Sequence, residues 1–128
     1  MIDRTLSLHH VTWVVADLES AIAALAPLVA DIVREPLPQR GVATARVRLG
    51  EAWLVLVQPL GPGVPAERLA EAGEGPLLLS FRVASLEAAL QALAARGVAA
   101  AGPPRAGLAN WRVVDLAAAL PGGVNLQL

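Results

Sequence analysis

His9 and His10 stand side by side in a run of β-forming residues near the start of the chain, and they are its only imidazoles. Successive side chains of a strand point to opposite faces, so at most one of the pair can enter a given cavity. Farther along, Arg46-Val47-Arg48-Leu49 alternates cationic with apolar residues, and Trp53 follows a Gly50-Glu51 turn signal. The alternation turns both guanidiniums away from the apolar face of their strand, where paired charge-assisted hydrogen bonds would hold a carboxylate or an enolate-like oxygen. Trp53 offers a flat stacking surface and a cation–π partner for Arg48. Absences restrict the chemistry as well: with no Cys, Lys or Tyr there is no thiolate nucleophile, Schiff-base amine or phenolic acid. What is left is an imidazole that can move a proton and arginines that can hold an anion.

These residues sit on elements that are written twice. Residues 6–15 alternate as a strand, and residues 17–25 switch to helical spacing with apolar Leu18, Ile22 and Leu25. The same switch recurs at residues 77–83 and 85–95, where Leu86, Ala89, Leu90 and Leu93 form the stripe. An offset of 68 residues, from His10 to Leu78, also superposes Val15 on Val83, Ala16 on Ala84, Leu18 on Leu86 and Glu19 on Glu87 without a gap. A strand, junction and helix matching together point to an internal repeat. Strands are expected next at residues 31–35, 42–49 and 52–57 in the first half, and at 98–100, 111–116 and 124–128 in the second. Each half therefore reads βαβββ. Residues 65–72 read as a short helix between them, with Pro65 at its start and Gly73 at its end.

Period two places Val11, Trp13 and Val15 on the helix-packed face of the first strand and His10, Thr12 and Val14 on the other. Trp13 is thus expected in the core, while the roles of Trp53 and Trp111 stay open. Leu78, Ser80 and Arg82 should share the face equivalent to that of His10. A two-residue hairpin at Gly50-Glu51 would pair Leu49 with Ala52, Arg48 with Trp53 and Arg46 with Val55.

A chain of 128 residues fits one domain, residues 1–128, with a core that needs no disulfide. Its 55% hydrophobic and 16% charged residues exclude disorder, and a net charge of -1 gives no general attraction to nucleic acid or an anionic membrane. The apolar run at residues 21–30 is broken by Pro27 and followed by Asp31, which is too short for a bilayer. The first five residues lack the charged start and apolar core of a signal peptide, so a soluble, cytoplasmic protein is expected. That every basic residue is Arg reads as compositional bias.

Paired βαβββ modules resemble the vicinal-oxygen-chelate superfamily, which includes glyoxalase I, extradiol dioxygenases, methylmalonyl-CoA epimerases and bleomycin- and fosfomycin-resistance proteins. The stretch Leu8-His9-His10-Val11-Thr12-Trp13-Val14-Val15-Ala16-Asp17-Leu18 is similar to the family's opening strand and helix start. Gln39-Arg40-Gly41-Val42, Leu49-Gly50 and Gln58-Pro59-Leu60-Gly61 resemble phrases of epimerase-like members, and Pro121-Gly122-Gly123-Val124-Asn125-Leu126-Gln127-Leu128 resembles the closing strand. The resemblance implies an α+β fold. Module one (about 5–60), a connection (61–74) and module two (about 75–128) would form a curved, partly closed mixed sheet around a cavity, with helices outside.

The resemblance also implies four metal-ligand positions, two per module. Here they carry His10, Val55, Leu78 and Gln127. Val and Leu have no donor atom, so no metal or other cofactor is expected. Gln39 stands where epimerases commonly have an acidic base, which argues against their two-base scheme. The expectation is a metal-free binding protein for a small anionic or aromatic ligand, lined by the residues named above and by Gln127. The alternative is a metal-independent lyase or isomerase of a small carbonyl or acyl compound, with His10 as acid/base and Arg46 or Arg82 steadying an oxyanion. A third reading is a structural or regulatory partner with a vestigial pocket. Enzyme or binder stays open, and family resemblance implies a homodimer.

Overall fold

Two strands are each followed, three residues past their last, by the residue that caps the next helix. In the computed structural model, which describes residues 7–128, Asp17 Oδ1 accepts from the amides of Glu19 (3.1 Å) and Ser20 (3.3 Å), and its Oδ2 accepts from the Ser20 hydroxyl (2.9 Å). At the equivalent place in the repeat, Ser85 Oγ accepts from the Ala88 amide at 3.2 Å. Each cap satisfies amides that the first helical turn leaves without partners. The predicted strand start at residue 6 and the first five residues lie outside the described residues.

In chain order the elements are β1 (Ser7–Val14), α1 (Leu18–Leu25), β2 (Ile32–Leu37), a 3-10 turn (Pro38–Arg40), β3 (Val42–Leu49), β4 (Ala52–Pro59), α2 (Val64–Ala72), β5 (Gly75–Arg82) and α3 (Leu86–Ala94). They continue with β6 (Arg105–Ala106), a second 3-10 turn (Leu108–Asn110), β7 (Arg112–Val113), β8 (Asp115–Leu120) and β9 (Val124–Gln127). Three helices with mixed β-sheet make this the α+β class that the sequence implied. No described helix is long and apolar enough to cross a membrane.

The chain divides into two compact units, residues 10–77 and residues 78–128 with 7–9. In the first unit the strand order is β2-β3-β4-β1, with β1 parallel to β4 and the other pairs antiparallel. Its core joins Val15, Leu18 and Ile22 to Ala45 and Leu56, flanked by Leu25, Ile32 and Leu54. Each large aliphatic side chain so buried contributes roughly 1.5–3 kcal/mol. The Leu18 amide donates to Gln58 Oε1 at 2.7 Å, fixing the start of α1 to β4. Gly50 takes a φ of 62° in the β3–β4 turn, a conformation that costs glycine little.

In the second unit β5 runs parallel to β9, and β9 pairs antiparallel with β8 through a bulge between Asp115 and Ala119. The first strand thus pairs with the last in both units. The registers are analogous too: Thr12 faces Val55 and Ser80 faces Gln127, so the 68-residue offset between the first strands lengthens to 72 residues between the last ones.

Three expectations need correction. Residues 98–100 form no strand, only an isolated bridge between Ala100 and Leu116; the ladder stops short of Pro103-Pro104, which lie beyond Ala101 and Gly102 and supply no amide hydrogens. The strand expected at residues 111–116 breaks at Val114. Arg112–Val113 pair with Arg105–Ala106 in a separate ladder, and Val114 exchanges backbone hydrogen bonds with Leu128. Trp13 lies on the helix-packed face but remains 41% exposed, since the five-residue core cluster closes without it.

The Asp17 carboxyl is held below its usual value of 3.8, first by the Ser20 hydroxyl and then by the Ser20 amide. A depressed folded-state value means that the cap stabilises above the unfolded-state value, and the contribution is lost as pH falls through the folded one. Asp17→Ala is therefore expected to lower Tm at pH 7, with the deficit against the parent shrinking below about pH 4, whereas Asp17→Asn should retain most of the cap. Thermal melts across pH check this. A deficit that is constant from pH 7 to pH 3 would contradict the assignment.

Candidate functional site

Strand register in residues 10–77 sorts the chemistry-bearing side chains into three rows on the face away from α1. One row is Arg48, Trp53 and His10; the next is Val33, Arg46, Val55 and Thr12; the third is Glu35, Thr44, Val57 and Val14. The β3–β4 register is the one a two-residue turn predicts. The opposite face carries Ala43, Ala45, Val47, Leu54 and Leu56 and packs on α1. One face of the sheet is thus apolar while the other gathers cations, hydroxyls and an imidazole.

Three polar side chains of that face are buried: His10 is 5% exposed, Thr12 7% and Thr44 3%. Arg46, whose side chain is 12% exposed, donates from Nη1 to Glu35 Oε1 at 2.6 Å. Its guanidinium also lies 5.5 Å from the centre of the Trp53 ring, and that of Arg48 lies 5.1 Å from the same centre. Arg48 Nε donates to the Gly50 carbonyl at 2.8 Å, bending this exposed side chain back over the turn. The indole therefore serves as a platform between two cations. Glu35 was not singled out by sequence reasoning. Its alternation with Val33 in β2 was legible, but the six-residue interval before Val42 concealed the β2–β3 register that sets Glu35 beside Arg46.

In residues 78–128, Leu78 pairs with Asn125 and Ser80 with Gln127, while Asp115 pairs with Gln127 from the other side. Gln127 is 3% exposed and donates from Nε2 to Asp115 Oδ1 at 2.8 Å. Asp115 is gripped in turn by Arg105, through Nε at 2.9 Å and Nη2 at 3.1 Å. A carboxylate only accepts, so it fixes the Gln127 amide with its nitrogen inward. The buried Oε1 is left with no hydrogen-bond partner. Neither Arg105 nor Asp115 was flagged from sequence; both lie in the stretch whose strands were misjudged.

Ser80 and Arg82 also reach a pocket of about 230 Å3, lined with them by His9, Phe81, Trp111 and Arg112 among others. His9 meets the Trp111 ring at 89° with 4.5 Å between centroids. Of the sequence-derived candidates, six share the polar face of β1, β3 and β4: His10, Thr12, Arg46, Arg48, Trp53 and Val55. Leu78, Ser80 and Gln127 share the registers of β5 and β9, and Arg82 stands at the end of β5. Among the described residues no group of three or more His, Cys, Asp or Glu side chains is placed to hold a metal ion. Of the four positions that the fold family uses for a metal, Val55 and Leu78 offer no donor atom, so the set does not fit one.

The geometry can be set beside known proteins. A methylmalonyl-CoA epimerase from Mycobacterium tuberculosis superposes with a TM-score of 0.85 at 30% identity, covering 100% of this chain and 91% of that one. A hypothetical protein from Bacillus halodurans gives 0.85 at 24% identity, covering 97% and 93%. A Streptomyces coelicolor methylmalonyl-CoA epimerase in complex with 2-nitronate-propionyl-CoA gives 0.84 at 22%, covering 97% and 96%. Among curated proteins none matches this chain. The profile of the Glyoxalase/Bleomycin resistance protein/Dioxygenase superfamily matches residues 9–114, and the chain belongs to that superfamily.

Proposed function

We propose that this protein binds a small carboxylate-bearing molecule without a resident metal, on the face formed by His10, Thr12, Arg46, Arg48, Trp53 and Val55. The observation that carries the reading is the row Val33-Arg46-Val55-Thr12. An apolar side chain holds a position where the family places a ligand, and a shielded guanidinium stands directly beside it. Arg46 and Arg48 bring two positive charges and Glu35 one negative, so the face favours a ligand with a single anionic group. Trp53 would stack on the flat or acyl part of that ligand. The Streptomyces coelicolor relative is solved with 2-nitronate-propionyl-CoA, which supports an acyl thioester as one form of it.

The competing enzyme reading gives His10 the role of acid/base. It draws on the burial of His10 and its place beside Trp53. His10 and Arg46 lie on strands two apart, about 10 Å between backbones at ~4.8 Å per strand, so only a ligand spanning both could be protonated by one and held by the other.

Titration calorimetry with a panel of small carboxylates and their coenzyme A thioesters separates the two. Arg46→Met is expected to cost about 2–5 kcal/mol of affinity, as for a lost shielded charge contact, and His10→Ala less than about 1. If Arg46→Met binds like the parent while His10→Ala abolishes binding or a measurable turnover, the enzyme reading replaces this one.

Zinc, nickel, cobalt and manganese are expected to leave Tm unchanged, because a metal that binds only the folded state would add roughly 2.7 kcal/mol at a hundredfold excess over its Kd. One metal per chain, lost in His10→Ala, would overturn the metal-free reading.

We also infer a homodimer, supported by Leu28, Leu49, Leu60 and Val64, each at least half exposed. Sedimentation that shows a monomer throughout the micromolar range would remove it.

A further inference from the structure

We propose that the pocket beside His9 and Trp111 is a second small-molecule site, built for a flat aromatic carboxylate. It is formed wholly within residues 78–128 with 7–9, and none of its lining residues belongs to the Arg46 face. Its volume of about 230 Å3 falls below the ~300–1,000 Å3 of pockets that take drug-sized ligands, which restricts the occupant to about one ring with a short acidic group.

The lining divides by chemistry. Phe81, Val83, Leu86 and Val113 supply apolar wall, and Trp111 adds a large flat ring whose orientation is fixed by its perpendicular contact with His9. Such a wall selects a planar apolar body. The charged side chains of the lining are Arg82 and Arg112, with no Asp or Glu among them. Two guanidiniums stand against the single α-carboxylate of Leu128, so the lining keeps a net positive charge that favours an anion, and guanidinium forks match a carboxylate better than a neutral amide.

Arg112 is already engaged: its Nη1 lies 2.7 Å from Glu87 Oε1, with the two side chains 57% and 63% exposed. An ion pair that open to water is weak, so a ligand carboxylate entering the pocket can compete for Arg112. Glu87 then acts as a resident competitor for the same cation. Removing it should tighten binding, an effect opposite in sign to that of merely loosening the structure.

The test uses benzoate and its neutral counterpart benzamide as probes, read by the indole N–H resonances of Trp13, Trp53 and Trp111, the Trp111 signal being assigned by its loss in Trp111→Phe. Benzoate is expected to shift the Trp111 signal saturably. Arg82→Gln and Arg112→Gln should weaken that binding several-fold, Glu87→Gln should strengthen it, and Arg46→Met should leave it unchanged. Benzamide should bind about tenfold more weakly, as the charge-assisted contacts are lost. The proposal fails if millimolar benzoate leaves Trp111 unmoved, if benzamide binds equally well, or if Glu87→Gln weakens binding. A shift at Trp53 alone that Arg46→Met abolishes would also overturn it, while supporting ligand capture on the other face. Loss of binding at Trp53 with retention at Trp111 would count against the Arg46 reading and leave this one standing.

Discussion

Parallel strands cannot be joined by a tight turn, so pairing β1 with β4 obliges the chain to run through α1, β2 and β3 first. That pairing sets the rest of residues 10–77. It places Thr12 beside Val55 and His10 beside Trp53, and the Val15 amide extends it with a hydrogen bond to the Val57 carbonyl at 2.9 Å. Because side chains alternate with period two, a one-residue slip would send Leu54 and Leu56 to the polar face and Trp53 and Val55 against α1. Burial of Leu56 in the α1 core therefore locks the chemistry of the opposite face.

The same constraint operates in the second unit and shows where the two halves diverge. Thr12 corresponds to Ser80, Val55 to Gln127 and Arg46 to Asp115, each pair occupying one row of its sheet. The hydroxyl is kept in both units. The central residue changes from apolar to amide, and the charge beyond it reverses. Each charged residue also has a counterion from outside its row: Glu35 for Arg46, and Arg105 for Asp115. A buried amide needs partners, and Gln127 finds one in Asp115, whereas Val55 needs none. The substitutions along each row thus form a consistent set.

Much of this was legible in the sequence, for reasons that can be named. Val42 to Leu49 alternates without interruption and is followed by a glycine turn, so its pairing with Ala52 to Pro59 could be written down residue by residue. Asp17 and Ser85 mark the helix starts by their side-chain oxygens. The second half was harder to read because its strands are shorter than the periodicity needs. Arg105–Ala106 and Arg112–Val113 are two residues each, and two residues carry no alternation. Asp115 and Arg105 were missed with them. The pocket at His9 was missed for another reason: it depends on Trp111, which follows Ala109 and Asn110, both at positive φ, and although Asn tolerates that region nothing in the identity of an alanine announces it.

Arg46 and Val55 also explain one another. Residues directly opposite across a strand pair have Cβ atoms about 4.5–5.5 Å apart, so anything bound at the end of the Val55 side chain would sit near the Arg46 guanidinium. A divalent cation there would meet a positive charge at ~5 Å, a repulsion of several kcal/mol at an effective dielectric constant of about 20, only partly relieved by Glu35. Restoring a donor at position 55 alone would therefore recreate the ligand but not the electrostatics of a metal site. A singly charged anion at the same place meets an attraction about half as large, and an apolar side chain next to it removes the water that would otherwise screen the contact. The cation in β3 and the hydrocarbon side chain beside it in β4 both disfavour a metal cation at this place, and it is this that supports the proposed anionic occupant.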